Sequence, residues 1–150
     1  MMTPEVTAGD TLPTLVVNVT PRTVIMGASS SRDWQPQHHD HAWAVEKVGP
    51  RGIFLNTPNQ AGWIERYLTD WGGSSARLGR LRFRMRRPVC PGDELHFNAT
   101  VTTVSDEGWI DLDVALSVGD DVVTTCLARL ALPTEPGDNP WSRRGDEWRP

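Results

Sequence analysis

The sequence predicts an α+β fold in which an antiparallel β-sheet packs against one long α-helix. A well-capped helix is predicted to begin near residue 57, and strand patterns follow it at 80–86, 94–104, 109–118 and 122–132. Strands that follow one helix and are joined by short turns typically form an antiparallel sheet on that helix. A chain of 150 residues suits a single domain with one core.

The N-terminal third is predicted to contain one strand and two short helices. Residues 1–11 are polar and are expected to be a flexible N-terminus. Residues 12–19 are rich in β-branched side chains, which is typical of a strand. Thr20, followed by proline, predicts the N-cap of a short helix, and Asp40 predicts the cap of a second one.

The strongest helix signal in the sequence begins at Thr57. This residue is followed by Pro58 and, three positions after Thr57, by Gln60, a pattern that predicts a threonine N-cap with a capping box. Apolar residues at spacings of three and four then form one face of the predicted helix, and two glycines end it. That apolar face consists of Ala61, Ile64, Leu68 and Trp71.

The last strand pattern ends near residue 132, which sets the predicted domain boundary. We expect the folded domain to span residues 12–132. Residues 133–150 contain prolines, tryptophans and mixed charges without periodicity, and are predicted to be a polar tail that is loop or disordered. Trp141 and Trp148 are candidates to order this tail against a partner.

Composition argues against several classes of protein. The net charge of -4 argues against general nucleic-acid binding, and no apolar run approaches the ~20 residues that span a bilayer. The beginning of the chain lacks the pattern of a secretory signal, so a cytoplasmic location is expected. Cys90 and Cys126 lack metal-ligand spacing and are predicted to be reduced thiols.

An acid, an imidazole and a proline lie close together in residues 33–38. Pro36 fixes its own φ and disfavours the helical conformation for the residue before it, so an ordered turn is predicted. Such a turn can bring the carboxylate of Asp33 and the imidazole of His38 to one water molecule, where the two groups can handle two protons. The alternative interpretation is an Asx turn beside a surface histidine.

This turn resembles the hydratase motif of the MaoC-like (R)-specific enoyl-CoA hydratases, with Asp33, Gln35, Pro36, His38 and Ala44 at the motif positions. Gln35 stands where that family usually has asparagine. Its members have the hotdog fold, in which an antiparallel sheet wraps around a long central helix, and they add water across the 2,3 double bond of an acyl-CoA. The turn within residues 86–95 also resembles hotdog proteins.

The resemblance implies roles for the two groups. Asp33 would be the base that draws a proton from water, while His38 would hold that water and manage the proton at the α-carbon. No cofactor is implied, because coenzyme A is part of the substrate.

The same reaction needs hydrogen-bond donors for the charge that builds on the thioester oxygen. Backbone N–H groups at a helix N-terminus are unpaired, and the helix dipole favours an anion there. The resemblance places the donor at Asn56, and Pro58 has no N–H, so the backbone N–H groups of Asn56 and Thr57 are the candidates. The alternative is that these residues only cap the helix and bind no substrate.

Three runs, 31–40, 53–56 and 65–71, resemble the small MaoC-like subunits of actinobacterial hydratases that act on steroid side-chain enoyl-CoA during cholesterol degradation. This resemblance implies a heterodimer or heterotetramer. A chain of this kind brings the acid and the histidine, and a second MaoC-like hotdog chain binds much of the coenzyme A.

Two sets of side chains are candidates to bind the substrate. Trp34 and Trp63 are candidates to line a wide apolar cavity for a polycyclic acyl group, although packing in a core or interface is the alternative. Arg84 and Arg86 belong to a row of alternating arginines and are candidates to bind the phosphates of coenzyme A. A strand edge protected from aggregation by its charge is the alternative.

Three alternatives to a hydratase depend on other residues or on the absence of catalysis. The spacing of the histidines and acid in residues 38–41 fits no standard zinc pattern, so no metal site is predicted. A hotdog thioesterase would need Glu65 or Asp70 to point into the pocket. A non-catalytic scaffold subunit is the third alternative, and the intact Asp33 and His38 pair argues against it.

Overall fold

The computed structural model describes residues 6–150 and confirms the α+β class. The strands are β1 (Leu15–Asn18), β2 (Arg77–Met85), β3 (Glu94–Val104), β4 (Trp109–Val118) and β5 (Asp121–Ala131). The helices are α1 (Pro21–Ser30), α2 (His41–Lys47) and α3 (Thr57–Gly72), with short 3-10 turns at Pro36–His38, Pro140–Ser142 and Gly145–Glu147. The strands form one antiparallel sheet in the order β1-β3-β4-β5-β2.

Helix α3 packs one face against the sheet and forms the centre of the core. Its buried residues are Gln60, Ile64, Tyr67 and Leu68. Every second residue of the central strands faces the same core: Leu95, Phe97, Ala99 and Val101 on β3, and Ile110, Leu112, Val114 and Leu116 on β4. This period of two leaves the alternate residues on the outer face of the sheet.

The start of α3 differs from the sequence prediction in its cap. Asn56, not Thr57, is the N-cap, and its Oδ1 accepts a hydrogen bond of 3.0 Å from the backbone N–H of Asn59. Thr57 and Pro58 occupy the first helical positions, where a missing N–H costs nothing. The predicted capping box is wrong because the Gln60 side chain is buried, and its Oε1 accepts a bond of 2.7 Å from Thr124 Oγ1.

The described part of the N-terminal segment is held against the sheet. Residues 1–5 lie outside the described residues, so the predicted flexibility of 1–11 can be compared only from residue 6 onward. The Gly9 N–H donates to the Val101 carbonyl at 2.8 Å, and the Leu12 N–H donates to the Ala99 carbonyl at 3.0 Å. β1 pairs only with residues 94–97 of β3, and these bonds continue along the same edge at residues 99–101. The described residues 6–11 are therefore not the loose segment that the sequence indicated.

The C-terminal tail folds back onto the sheet instead of remaining a free loop. The guanidinium of Arg77 lies 3.4 Å from the centre of the Trp148 ring and donates two bonds of 3.1 Å, to the carbonyls of Pro140 and Arg143. Trp148 also packs on Trp109, with ring centres 5.0 Å apart. The cation and the aromatic rings attract one another, which anchors a segment that has no hydrophobic periodicity.

Two further sequence predictions concern the membrane and the cysteines. Among residues 6–150, no helix is long and apolar enough to cross a membrane. Cys90 and Cys126 are both buried and are not joined to each other. Burial raises the pKa of the Cys126 thiol to about 11, so this group stays protonated and unreactive near neutral pH.

Replacing Ile64 by alanine should destabilise the fold strongly, because its side chain is fully buried between α3 and the sheet. We expect the free energy of unfolding to fall by about 2–5 kcal/mol, measured by urea denaturation. The neighbouring exposed Glu65→Ala is the control and should change it by less than about 0.5 kcal/mol. Equal losses in the two variants would contradict this description of the core.

Candidate active site

A sharp reversal of the chain after α1 places Asp33. Arg32 has a φ of 54°, in the left-handed region that non-glycine residues rarely adopt. This conformation lets the Asp33 N–H return to the carbonyl of Ala28 at 2.9 Å. The proline at 36 then opens the predicted ordered turn as a single turn of 3-10 helix that ends at His38.

The turn brings the carboxylate of Asp33 and the imidazole of His38 together. Asp33 Oδ2 lies 3.5 Å from His38 Nε2. The other ring nitrogen, Nδ1, lies 2.8 Å from the Phe54 carbonyl, which can only accept, so Nδ1 carries the proton. In the neutral ring, Nε2 therefore carries the lone pair; it lies 3.3 Å from the Gln37 side-chain nitrogen, which can donate to it, and faces Asp33. His38 is buried, whereas 22% of the Asp33 side chain remains exposed.

Two donors hold the Asp33 carboxylate in its ionised form. Asn56 Nδ2 donates to Oδ2 at 2.9 Å, and the Gln35 N–H donates to Oδ1 at 3.2 Å. The hydrogen bond from Asn56 is the main cause that lowers the pKa of Asp33, and the bond from Gln35 and the nearby His38 act in the same direction. The carboxylate is thus a charged acceptor across the neutral pH range.

The Asn56 side chain joins the turn to the long helix, a contact that the sequence did not indicate. Its Oδ1 caps α3, while its Nδ2 donates to Asp33 and, at 2.9 Å, to the Ser31 hydroxyl. The preference for asparagine at N-caps was the available signal for the first bond. No local pattern signals the second bond, because it joins residues 23 positions apart.

The start of α3 also offers backbone donors beside this carboxylate. Within the described residues, the backbone N–H groups of Asn56 and Thr57 donate no hydrogen bond. Pro58 contributes no donor. Because Asn56 itself touches Asp33, the structure brings the predicted acid, the predicted imidazole and the predicted helix N-terminus to one place.

The two tryptophans predicted to contact the substrate lie on different sides of the Asp33 and His38 pair. Trp34 directly follows the acid and is 69% exposed. Trp63 is half-buried and lines a groove of about 280 Å³ between α1 and α3, where Arg66 lies 5.2 Å from its ring centre. The groove also contains Ser31, which bonds to Asn56, so it reaches the edge of the candidate site.

The structure does not bring Arg84 to the acid and the imidazole. Its neighbours Phe83 and Met85 pair with Cys126 and Thr124, which are buried on the α3 side of the sheet. Arg84 therefore points to the outer face, where it lines a cavity of about 820 Å³. Arg86 follows the end of β2 and is exposed. Their binding of coenzyme A phosphates stays a prediction.

The residues required by the alternative functions lie elsewhere. Glu65 and Asp70 are exposed on α3, and Asp70 accepts a bond of 3.2 Å from Arg66 one turn earlier. Neither acid faces the site formed by Asp33 and His38. In the part of the chain that the structure describes, no group of three His, Cys, Asp or Glu side chains could hold a metal ion.

Comparison with known proteins shows the same family in sequence and in structure. The family model described as the MaoC like domain matches residues 5–119. The chain is 35% identical over 119 residues to the 3-oxo-4,17-pregnadiene-20-carboxyl-CoA hydratase beta subunit of Mycobacterium tuberculosis, covering 78% of this chain and 91% of that protein.

Solved structures confirm the predicted hotdog fold. A chain in the crystal structure of the ChsH1-ChsH2 complex from Mycobacterium tuberculosis superposes with a TM-score of 0.79 and 31% identity, covering 83% of this chain and 97% of that one. The (R)-hydratase from A. caviae involved in PHA biosynthesis superposes with a TM-score of 0.79 at 21% identity, covering 87% and 100%. The chain belongs to the MaoC-like family.

Proposed function

We propose that this chain is an enoyl-CoA hydratase and the catalytic subunit of a heteromeric complex. The observation that carries the proposal is the 3.5 Å approach of Asp33 Oδ2 to His38 Nε2 beside the N-terminus of α3. Both atoms are acceptors when the carboxylate is ionised and His38 carries its proton on Nδ1, and a water bound to Nε2 would take the place of the Gln37 side-chain nitrogen that lies 3.3 Å from it. Two acceptors at this distance can each take one hydrogen of the same water molecule at an ordinary length of about 2.8 Å.

Water addition then follows from the placement of the pair. As the water oxygen bonds to the β-carbon of the enoyl group, Asp33 takes one of its protons and His38 Nε2 holds its orientation. The proton that Asp33 has taken passes across 3.5 Å to His38 Nε2 and from there to the α-carbon, where the electron pair of the double bond now resides. The second water proton stays on the new hydroxyl, so the acid and the imidazole end in their starting states.

The N-terminus of α3 stabilises the intermediate charge in this proposal. Electron density that leaves the double bond moves onto the thioester oxygen, which must be bound more strongly as its charge grows. The N–H groups of Asn56 and Thr57 have no other acceptor among the described residues. Together with the helix dipole they favour an anion at that point.

The substrate is proposed to be a steroid side-chain enoyl-CoA. The support is the 35% identity to a subunit whose name specifies a pregnadiene carboxyl-CoA, a polycyclic acyl group. The exposed Trp34 and the groove beside Trp63 offer apolar surface next to the acid. No cofactor is proposed, since coenzyme A is part of the substrate, and the location is proposed to be cytoplasmic.

A second MaoC-like hotdog chain is proposed as the partner, in a heterodimer or heterotetramer. One supporting observation is the likeness to a chain of a two-component complex. The other is that Arg84 lies on the outer face of the sheet, away from Asp33 and His38, so a second chain is proposed to supply cations for the coenzyme A phosphates. A scaffold role is less well supported, because both reacting side chains are present and oriented.

Asp33→Asn and His38→Ala should each lower the rate of hydration by about 10²–10⁴-fold, the range for loss of a general acid or base. The rate is measured as loss of enoyl absorbance with a steroid enoyl-CoA, using the chain together with its partner subunit. His39→Ala is the matched control, since His39 is exposed and bonds only to the Trp34 carbonyl among the described residues. A wild-type rate in either of the first two variants would reject the pair.

Thr57→Pro should lower kcat by about 10²-fold by deleting one N–H donor, while the helix persists because proline is tolerated at its first position. Thr57→Val removes the hydroxyl but keeps the N–H, and should retain activity. Circular dichroism of both variants checks the helix. If the proline variant is folded and fully active, the Thr57 N–H is not a donor to the thioester oxygen.

Asn56→Asp should move the acid limb of the pH–rate profile to higher pH. The variant keeps an oxygen to cap α3 but replaces the donor to Asp33 by a second carboxylate. Loss of that donor and the added like charge both raise the pKa of Asp33, so the base becomes protonated at a higher pH than in the wild type. An acid limb at the wild-type position would show that Asp33 ionisation does not control the rate.

A further inference from the structure

An ion pair joins the loop before α3 to the turn before β3. Arg51 in the loop donates to both carboxylate oxygens of Asp93, from Nη2 to Oδ1 at 2.7 Å and from Nη1 to Oδ2 at 3.1 Å. The Cys90 backbone N–H donates a third bond, of 2.9 Å, to Oδ2. Paired bonds of this kind fix the orientation of both groups as well as their distance. Only 8% of the Asp93 side chain is exposed, so water offers its carboxylate few other partners.

The turn that carries Asp93 is itself fixed to the sheet. The Val19 N–H donates to the Asp93 carbonyl at 2.9 Å, and the Gly92 N–H donates back to the Val19 carbonyl at 2.8 Å. The Asp93 N–H also closes the turn on the Cys90 carbonyl at 3.1 Å. Strand β3 begins at the next residue. Arg51 is therefore tied to a part of the fold that backbone hydrogen bonds hold in place.

The segment held by this ion pair contains the carbonyl that orients His38. Phe54 lies three residues after Arg51, and its carbonyl accepts the proton of His38 Nδ1 at 2.8 Å. One residue later, the Leu55 N–H donates to the Val89 carbonyl at 2.9 Å. The segment is thus attached on both sides of Phe54, by the ion pair before it and by a backbone bond after it.

Packing alone does not fix the position of this carbonyl. Ile53 and Leu55 are buried, so the segment stays in the core without the ion pair. Burial of apolar area is non-directional, however, and it permits small rotations of the backbone. A hydrogen bond weakens steeply when its angle falls below about 120°. The ion pair restrains the loop side of the segment, where Gly52 has a φ of 77° and wide conformational freedom.

The position of the Phe54 carbonyl decides what the imidazole can do. While this carbonyl accepts from Nδ1, Nε2 is an acceptor that faces Asp33 at 3.5 Å. Without it, the proton can occupy Nε2, and the ring then presents a donor where water addition needs an acceptor. In serine proteases, loss of the group that selects the tautomer lowers kcat by about 10⁴-fold.

We propose that Arg51 and Asp93 are positioning residues that hold the Phe54 carbonyl against His38 Nδ1 and so keep Nε2 an acceptor. Neither residue bonds to the imidazole, so both act through the backbone of the segment. The effect on turnover rests on the proposed function, whereas the position of the ring proton does not depend on any reaction.

The test measures the position of the ring proton in the full chain. The double variant R51M/D93N removes both charges, so no buried charge is left unpaired, and its amide oxygen still accepts from the Cys90 N–H. Proton–nitrogen correlation NMR spectra at about pH 8.5, where an ordinary imidazole is neutral, identify the protonated nitrogen, and H38A assigns the signal. The wild type should carry the proton on Nδ1 alone. The double variant should divide it between Nδ1 and Nε2.

Turnover is the second readout, measured with the partner subunit and a steroid enoyl-CoA. The double variant should lose about 10–100-fold in kcat, since general acid–base catalysis contributes this much or more. KM should change by less than about 2-fold, because neither residue binds the substrate. R51K keeps the charge but not the two parallel bonds, and should lie between the wild type and the double variant in both measurements.

The matched control R129M/D111N removes an ion pair with the same two-bond geometry, 2.6 and 2.7 Å, elsewhere on the sheet. It should leave the ring proton and kcat unchanged. The proposal is overturned if the folded R51M/D93N variant keeps its proton on Nδ1 alone, or if the control divides the proton equally. If the double variant does not fold, a wild-type spectrum of R51K overturns it. A divided proton with full turnover would support the positioning role and count against the proposed function of Nε2.

Discussion

The amide of Asn56 is the contact on which the arrangement of the site depends. One end of this side chain caps the long helix, and the other end binds the Asp33 carboxylate and the Ser31 hydroxyl. Without this amide, the carboxylate would keep only the bond from the Gln35 N–H. By fixing it to the first turn of α3, the amide sets the distance between the charged acid and the unpaired N–H groups of the helix.

The imidazole is fixed by a second, separate constraint. The Phe54 carbonyl selects the ring nitrogen that carries the proton, and the Phe54 ring packs edge-on against His38 with ring centres 4.9 Å apart. Asn56 at the helix cap therefore positions the Asp33 carboxylate, and Phe54, two residues earlier, positions the His38 ring. Phe54 and Asn56 both lie within residues 54–56, directly before α3. The relative position of Asp33 and His38 therefore depends on the conformation of the chain at the start of this helix.

Much of the fold could be predicted because its signals are local. Periodicity gave α3 and the long strands, and the proline turn gave the approach of Asp33 to His38. The prediction was wrong where two local rules competed, since both Asn56 and Thr57 are good caps and only the contact with Asp33 favours the first. The docked tail could not be predicted, because it depends on one arginine that meets tryptophans more than 60 residues away.

The docked tail also ties the end of the chain to the middle of it. Gly79 lies at the irregularity of β2, and a side chain there would begin only 2.7 Å from the Pro150 ring. Pro150 thus fills the space that a larger amino acid at position 79 would need. The seating of the tail and the absence of a side chain at position 79 therefore depend on each other.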